Sequence, residues 1–399
     1  MRSVSRFIML LNQTWPDVSS ALLFAKPFSM KISALAFAAV FTLVAPLTRA
    51  EMKTSAKIED SMVQLQIFLD QKLFGPGKID GRGGEFTNKA LKRYQQANGL
   101  PETGTPEGLP LDTVNPVYTT YKIEPGDLKF IGDSPTSPQE QAKTKYLPYE
   151  SLLEFLTERF HCAPEFLEAI NPGVKLGALK VGSIVKVPNV EPFKIEDLGE
   201  SGNIPDVPEF ESRVITVDTR EKRLDLRDGE KLLASLPITP GSGSLPTPPG
   251  TWKIVGIAQL PTFRWDKSVL MTGVRSETFY MLPFGPNNPV GVMWIGLNKP
   301  GIGIHGTNNP QTIGRAASHG CMRTANWDTV RLSKLVTKGM TVIITGPAAP
   351  KRDPEPPPRR ASVAKEKERP VVEKAIPVAQ KPPPPPRPAP APKKRFLFF

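Results

Sequence analysis

Apolar residues first recur at helical spacing in the segment from residue 58 to 105. Four of them follow the i, i+3, i+4, i+8 spacing of an amphipathic helix: Leu65, Phe68, Leu69 and Leu73. A Gly-Pro-Gly run at 75–77 ends this helix, and a second helix follows Thr87 and ends at Gly99. The pattern predicts a small α-helical domain over residues 58–105, although a generic helical hairpin would show the same core pattern.

Two short strand patterns enclose two helical patterns in the next segment, residues 118–192. The strand patterns lie at 121–123 and 184–187. The first helix has apolar residues on one face: Leu152, Leu156 and Phe160. The second helix begins at Pro164, a residue suited to the first helical position, and ends at the Asn-Pro-Gly run 171–173. This segment is predicted to be a small α+β module.

Strand patterns dominate residues 211–346. Alternating apolar residues on both sides of Asp228-Gly229 predict a β-hairpin. Four further strands are expected at 252–255, 292–295, 301–305 and 341–344, with one helix near 326–336. The prediction is a mostly β domain, a sandwich or barrel-like fold, in a multidomain chain.

The N-terminal residues 1–50 have the order of a leader and signal peptide. Met30-Lys31 precedes an apolar run from 32 to 47, and Thr48-Arg49-Ala50 closes it with small residues at the positions expected before cleavage. The run is shorter than a comfortable membrane span, so export is favoured over a retained membrane anchor. Translation is expected to start at Met30.

The C-terminal residues 347–399 are rich in Pro, Lys, Arg and Ala and contain too little apolar material to fold. The chain has a net charge of +12 and a pI near 9.5, which suits an anionic environment such as nucleic acid, a lipid surface or an acidic wall polymer. Much of that excess lies in this tail, and no basic run has the aromatic spacing of a nucleic-acid module. Nucleic acid is therefore set aside as a partner.

The chain has two cysteines, Cys162 and Cys321, and an exported protein would ordinarily pair them in a disulfide. Cys321, however, lies within Ser318-His319-Gly320-Cys321-Met322-Arg323, a setting that suits a reactive thiol. We expect Cys321 to be free. His161-Cys162 is interpreted as a packed helix end and not as a metal site, because no further ligands lie at metal spacing.

Two histidines flank Cys321 and are candidates for the base that activates it. His319 precedes it by two residues, and His305 lies 16 residues upstream at the end of a predicted strand. The spacing alone leaves both open. Gly320 frees the backbone beside the nucleophile, so that amide groups can face an oxyanion. Arg323 adds a cation that suits a carboxylate-bearing substrate.

These residues together resemble the signature of the L,D-transpeptidases with a YkuD-type catalytic domain. The resemblance covers about residues 213 to 345 and rests on the following residues: His305-Gly306-Thr307, the 16-residue spacing, Ser318 to Arg323, Thr247-Pro248-Pro249-Gly250 and Gly285 to Pro289. The helical domain resembles the peptidoglycan-binding domain, with Leu65-Gln66, Ile79-Asp80-Gly81 and Gly99-Leu100. The module at 118–192 resembles a LysM glycan-binding module, except that residues 128–146 are inserted before its first helix.

The resemblance implies roles for the residues of this site. Cys321 would be the nucleophile and His305 its general base, so His305 should lie within hydrogen-bond reach of the thiol. A carbonyl of the Gly306-Thr307 stretch would orient the His305 ring. His319 and Gly320 would shape the oxyanion site. The residues implied to contact substrate are Arg323, Ser318, Gly306 and Thr307.

The implied reaction is acyl transfer without a metal or an organic cofactor. A thioester forms on a tetrapeptide stem of peptidoglycan, D-alanine leaves, and an amine of a neighbouring stem or of a wall-anchored lipoprotein lysine attacks next. The same thioester resolved by water would give a carboxypeptidase or cross-link hydrolase, and an inert catalytic domain would leave a wall-binding scaffold. The enzyme would act in the periplasm or cell wall, and carbapenems, which acylate this family, would be its inhibitors.

Overall fold

The computed structural model describes residues 58–315 and 318–347. The predicted leader, and the predicted tail beyond residue 347, lie outside these residues. The described helices are as follows: α1 (Asp60–Gln71), α2 (Glu85–Ala97), α3 (Pro138–Gln141), α4 (Leu152–Arg159), α5 (Pro164–Ile170), α6 (Lys267–Thr272) and α7 (Asn326–Ser333). Within this part of the chain, none is long and apolar enough to cross a membrane.

The described strands number thirteen, and most of them belong to one sheet: β1 (Tyr118–Lys122), β2 (Ile184–Pro188), β3 (Gly202–Asn203), β4 (Val214–Asp218), β5 (Arg223–Asp228), β6 (Lys231–Pro237), β7 (Gly250–Gln259), β8 (Phe263–Trp265), β9 (Tyr280–Leu282), β10 (Met293–Leu297), β11 (Gly303–His305), β12 (Met322–Arg323) and β13 (Thr341–Thr345). Nine strands form the large sheet, in the order β12-β11-β10-β7-β13-β4-β5-β6, with β3 also paired to β7.

The large sheet confirms the predicted fold class, because a helical region precedes a mostly β domain. Its pairs are antiparallel except for β13 with β4 and β11 with β12. Apolar residues of β4 and β5 are fully buried, among them Ile215, Val217, Leu224 and Leu226. The parallel pair β11–β12 lies at one end of the strand order, and this is where the predicted site residues are found.

The helical domain of α1 and α2 packs against β6, the strand at the other end of the sheet. The N–H of Gly75 donates to the Ser235 carbonyl at 2.8 Å, and the Ser235 N–H donates to the Leu73 carbonyl at 2.9 Å. The buried Arg223 side chain donates to the Gly75 carbonyl at 2.9 Å. The helical domain therefore covers a sheet edge that would otherwise expose unpaired backbone groups.

The segment between the helical domain and the large sheet contains two paired strands and two main helices. β1 and β2 pair antiparallel, and α3, α4 and α5 lie between them in the chain. The Asn171 side chain holds β2 to the end of α5, accepting from the Lys186 N–H and donating to the Lys186 carbonyl, both at 2.8 Å. This arrangement has the two strands and two helices predicted for residues 118–192.

A buried group of charged side chains joins the three parts of the chain. Asp70 at the end of α1 is 2% exposed and accepts two hydrogen bonds from the Arg331 guanidinium of α7, each at 2.9 Å. His161 places Nδ1 at 3.0 Å from the same carboxylate and stacks on Trp327. Burial alone would raise the pKa of Asp70, but Arg331 and His161 hold it well below its usual range. His161 is therefore packed at a helix end. The described residues contain no cluster of three or more metal-ligating side chains.

We expect Asp70→Asn to lower the free energy of unfolding by about 3 kcal/mol, because it removes the bidentate carboxylate partner of the partly buried Arg331 guanidinium and leaves only Asp328 to pair with that charge. Urea denaturation of the two proteins measures this loss. Asp228→Asn is the matched control, since Asp228 is half exposed where it pairs with Arg213 and such pairs contribute about 0–1 kcal/mol. Equal losses in the two variants would contradict a structural role for the buried pair.

Candidate active site

Two neighbouring strands bring the sequence-predicted residues to one cavity. β11 and β12 run parallel, and their register places His305 opposite Arg323. Cys321 immediately precedes β12, two residues before Arg323, so both side chains project toward the same side. Cys321, His305 and Arg323 line a cavity of about 210 Å³ together with Ser318 and His319.

The Cys321 thiol is partly exposed and donates a hydrogen bond to the Gly301 carbonyl at 3.2 Å. Neither cysteine forms a disulfide, and Cys162 is buried elsewhere. Desolvation raises the pKa of Cys321 to about 11, although the Gly303 N–H and the Arg323 charge act to lower it. At neutral pH the resting nucleophile is therefore a protonated thiol, with a backbone N–H available when it ionises.

The His305 ring is 4% exposed and held on two sides. Its Nδ1 lies 2.6 Å from the Gly306 carbonyl oxygen, which only accepts, so Nδ1 carries the proton. The ring stacks on Trp294 with a centroid distance of 5.4 Å. In the neutral ring this arrangement leaves Nε2 as the acceptor, which is the form a general base requires.

Desolvation lowers the pKa of His305 to about 4, and the nearby Arg323 charge lowers it further while the Gly306 carbonyl opposes the shift. The ring is therefore neutral throughout the physiological range. In the described part of the chain, no hydrogen bond joins His305 to the Cys321 thiol. The thiol donates to the Gly301 carbonyl instead. Hydrogen bonds of this kind are commonly long in enzymes without substrate.

The loop before Cys321 is fixed by Ser318. The buried Ser318 hydroxyl donates to the Cys321 carbonyl and accepts from the Gly320 N–H at 3.3 Å. Gly320 has a φ of +104°, a conformation that L side chains rarely adopt, which explains the glycine beside the nucleophile. His319 is exposed at the cavity, and partial burial followed by the Arg323 charge lowers its pKa.

Arg323 is half-buried, and its Nε has no hydrogen-bond partner within the described residues. Two backbone hydrogen bonds with Thr239, at 2.8 and 3.0 Å, hold its strand. Gly306 and Thr307 do not line the cavity. Gly306 contributes its carbonyl to His305, and the buried Thr307 hydroxyl accepts from the Asn309 N–H at 3.2 Å, which stabilises the loop that follows the histidine.

If the Cys321 thiol and the His305 imidazole are both neutral at rest, the reactivity of the thiol should depend on pH. We expect the rate of Cys321 alkylation by a neutral reagent such as iodoacetamide to rise about tenfold per pH unit from about pH 7 to about pH 10, because only the thiolate reacts. Stopped-flow or mass-spectrometric rates in a Cys162→Ala background measure it without interference from the second thiol. A plateau already reached below pH 7 would instead indicate a preformed thiolate–imidazolium pair.

A segment that the sequence analysis did not assign forms the opposite wall of the cavity. It comprises β8, α6 and β9, and its lining residues are Phe263, Arg264, Trp265, Asp266, Val269 and Leu270. Asp266 caps α6, accepting from the Ser268 N–H at 3.0 Å and from the Val269 N–H at 3.3 Å. An aspartate before a short apolar run that ends at Gly273 is a helix signal that was available in the sequence.

A second cavity, of about 500 Å³, adjoins the first along this segment. Both are lined by Phe263, Arg264, Val269, Val290, Trp294 and Gly301. The second cavity extends toward β3 and the end of β7, where Asn203 and Gln259 lie. Cys321 therefore sits near the junction of two spaces, and each is large enough to hold part of a peptide.

Two family models match this chain. Residues 212–344 match the L,D-transpeptidase catalytic domain (YkuD), and residues 59–107 match the "Putative peptidoglycan binding domain". The catalytic-domain match includes all the residues that line the cavity around Cys321. The chain thus carries an L,D-transpeptidase catalytic domain that lies C-terminal to a peptidoglycan-binding domain.

Several curated relatives are also described as L,D-transpeptidases. The "Putative L,D-transpeptidase YkuD" of Bacillus licheniformis is 28% identical over 193 residues, which cover 48% of this chain and 93% of that protein. The protein of the same name in Bacillus subtilis is 40% identical over 77 residues, which cover 19% of this chain and 47% of that protein. The "Probable L,D-transpeptidase YbiS" of Escherichia coli is 26% identical over 229 residues, which cover 56% of this chain and 67% of that protein.

Solved structures of L,D-transpeptidases are more distant. The L,D-transpeptidase from Mycobacterium smegmatis is 16% identical with a TM-score of 0.29, covering 34% of this chain and 59% of that one. The catalytic domain of the E. faecium L,D-transpeptidase is 23% identical with a TM-score of 0.27, and the match covers 34% of this chain and 98% of that one.

Proposed function

We propose that this protein, with its L,D-transpeptidase catalytic domain and its peptidoglycan-binding domain, forms peptidoglycan cross-links through a thioester on Cys321. The observation that carries the proposal is that Cys321 and His305 line one cavity, His305 at the end of β11 and Cys321 directly before the parallel strand β12. The thiol is partly exposed there, and the ring presents an unprotonated nitrogen. These are the two groups that acyl transfer to sulfur requires.

In the first step, the Cys321 sulfur attacks the carbonyl of the diamino-acid residue in a tetrapeptide stem. His305 accepts the thiol proton and passes it to the nitrogen of the leaving D-alanine, so that the C–N bond breaks as the C–S bond remains. The Cys321 amide is proposed to bind the oxyanion, in a backbone conformation that Gly320 permits and with His319 beside it. Arg323, whose Nε has no partner in the described protein, is proposed to bind a substrate carboxylate.

In the second step, an acceptor amine attacks the thioester carbonyl and releases the Cys321 sulfur. The amine gives its proton to His305, which returns it to the thiolate. The two adjoining cavities suit this reaction, because one can hold the acyl donor while the other receives the acceptor. The acceptor is proposed to be an amine of a neighbouring stem, with a wall-anchored lipoprotein lysine as the alternative.

The upstream parts of the chain are proposed to hold the enzyme on the wall. The helical domain matches a peptidoglycan-binding family, and the β1–β2 module has the strand and helix order of the LysM resemblance, which stays a prediction. Peptidoglycan as the partner implies an extracytoplasmic location, which agrees with the signal peptide predicted from residues 1–50.

Mass spectrometry of wall fragments incubated with the mature protein tests this function. We expect cross-linked dimers formed with loss of one D-alanine, and none in a Cys321→Ala control. Stems trimmed by one residue without cross-links would assign hydrolysis to the same thioester. Unchanged fragments would contradict enzymatic function and leave a wall-binding scaffold.

A further inference from the structure

Glu158 is a buried acidic residue that the proposed mechanism does not use. It lies in α4, outside the catalytic domain, and is 4% exposed. Its Oε1 accepts two hydrogen bonds, one from the Tyr149 hydroxyl at 2.7 Å and one from the Asn326 side-chain amide at 3.0 Å. No Lys or Arg pairs with it in the described part of the chain, so its burial is not explained by an ion pair.

Asn326 connects Glu158 to the backbone around the proposed base. It is completely buried at the start of α7, and its Oδ1 accepts from the Val292 N–H at 3.2 Å. Gly291 and Gly306 pack so closely on this oxygen that a side chain on either would collide with it. The Asn326 amide therefore holds two backbone segments in place, one of which directly follows His305.

Gly306 links Asn326 to the His305 ring. Its Cα packs against the Asn326 side-chain oxygen, and its carbonyl oxygen lies 2.6 Å from His305 Nδ1, whose hydrogen bond it accepts. The position of this carbonyl fixes both the ring plane and the tautomer. Glu158 in turn fixes which end of the Asn326 amide faces Gly306, because its Oε1 accepts from the amide nitrogen and the amide oxygen is therefore directed at Gly306.

We propose that Glu158 is a positioning residue for His305, acting through the Asn326 amide and the Gly306 carbonyl to hold the ring in the orientation that removes the Cys321 proton. This inference rests on the proposed function of His305. It makes the β1–β2 module part of the active-site framework as well as a proposed wall-binding element. Without the Glu158 oxygen, the Asn326 amide would lose the acceptor that sets its orientation.

The protonation of Glu158 agrees with this role. Burial raises the pKa of Glu158 to about 8, and the nearby Glu154 charge acts in the same direction while the two hydrogen bonds oppose it. At neutral pH the group is a neutral acid, and Oε2, which accepts neither hydrogen bond, is free to carry the proton. Glutamine reproduces this state, since it offers an acceptor oxygen and a donor at the same positions.

Three substitutions in the full-length protein test the proposal. Glu158→Leu removes the acceptor, Glu158→Gln keeps it, and Tyr149→Phe removes the other hydrogen bond to the same oxygen without altering Asn326. We expect kcat for D-alanine release to fall about 10- to 100-fold in Glu158→Leu with KM little changed, as a small misplacement of a catalytic group produces. Glu158→Gln and Tyr149→Phe should keep a kcat close to that of the unmodified protein.

A second readout follows the His305 ring itself. The chain has three histidines, so ¹⁵N-histidine NMR resolves each ring. The pKa of His305 should fall further below about 4 in Glu158→Leu only, because a displaced Gly306 carbonyl no longer raises it. In a His305→Ala background, Glu158→Leu should cause no further loss of kcat, because the two act as one unit. If Glu158→Leu does not fold, Glu158→Asp withdraws the carboxyl by one methylene and makes the same test.

An unchanged His305 pKa and an unchanged kcat in a folded Glu158→Leu protein would overturn the proposal. Equal losses of kcat in Tyr149→Phe and Glu158→Leu would also overturn it, since they would indicate a general effect of packing. If the unmodified protein releases no D-alanine, the proposed function fails, but the NMR titration still decides whether Glu158 positions the ring.

Discussion

Replacing Cys321 by alanine is expected to abolish acyl-enzyme formation while binding to isolated cell wall is retained. The sulfur atom forms the only covalent bond to substrate in the proposed mechanism, and no other side chain that lines the cavity is a comparable nucleophile beside a base. Wall binding is proposed to reside in the domains before residue 200, which the substitution does not alter. Intact-protein mass spectrometry after incubation with a carbapenem measures acylation, and cosedimentation with sacculi measures binding.

Cys162→Ala is the matched control for this experiment. Cys162 is buried, and burial raises its pKa well above the ordinary thiol value, so its removal should leave acylation unchanged. A carbapenem adduct on the Cys321→Ala protein would show that another residue is the nucleophile. Loss of wall binding in the same variant would indicate that the substitution disturbs more than the thiol.

Replacing His305 by alanine is expected to slow acylation by roughly 10²- to 10⁴-fold, the usual effect of removing a general base. The thiol remains, so slow acylation should persist. His319→Ala should cost less, because His319 is exposed and its assigned role is to shape the oxyanion site. Acylation rates of the two variants measured under the same conditions make the comparison.

Equal and complete losses in both histidine variants would contradict the assignment of His305 alone as the base. Rescue by added imidazole then decides between them. Imidazole should restore part of the acylation rate in the variant that lacks the base and should have no effect in the other. Rescue of His319→Ala only would transfer the role of base to His319.

Much of the local structure of this protein could be predicted from the sequence. The apolar spacing at Leu65 to Leu73 identified α1, and Asp228-Gly229 identified the hairpin of β5 and β6, where Gly229 adopts a positive φ of 56°. Both signals are local, since they depend on residues that are neighbours in the chain. The mostly β fold class followed from several such signals together.

The arrangement of these elements could not be predicted in the same way. Asp70 and Arg331 are 261 positions apart, and nothing in their local patterns indicates that they meet. The parallel pairing of β4 with β13 is also remote in sequence, since Val214 and Thr341 are 341 − 214 = 127 positions apart. Apolar periodicity shows which face of an element is buried, but it does not say which other element covers that face.

The candidate site likewise has features that the sequence predicted and features that it did not. Cys321, His305 and Arg323 were identified from a short motif and its spacing, and the structure brings them to one cavity. The thiol contact with Gly301 and the stacking of Trp294 on His305 depend on backbone positions that no motif contains. Glu158 reaches Asn326 across 168 positions, so its connection to the site is visible only in three dimensions.

The proposed mechanism requires that a thioester form on Cys321 with release of D-alanine. Rapid acid quenching of the mature protein mixed with a tetrapeptide-stem fragment, followed by proteolysis and mass spectrometry, tests it most directly. We predict that the peptide containing Cys321 gains the mass of the stem without its terminal D-alanine, with one D-alanine released per adduct. Release of D-alanine without an adduct on that peptide, or an adduct on any other residue, would contradict a Cys321 thioester.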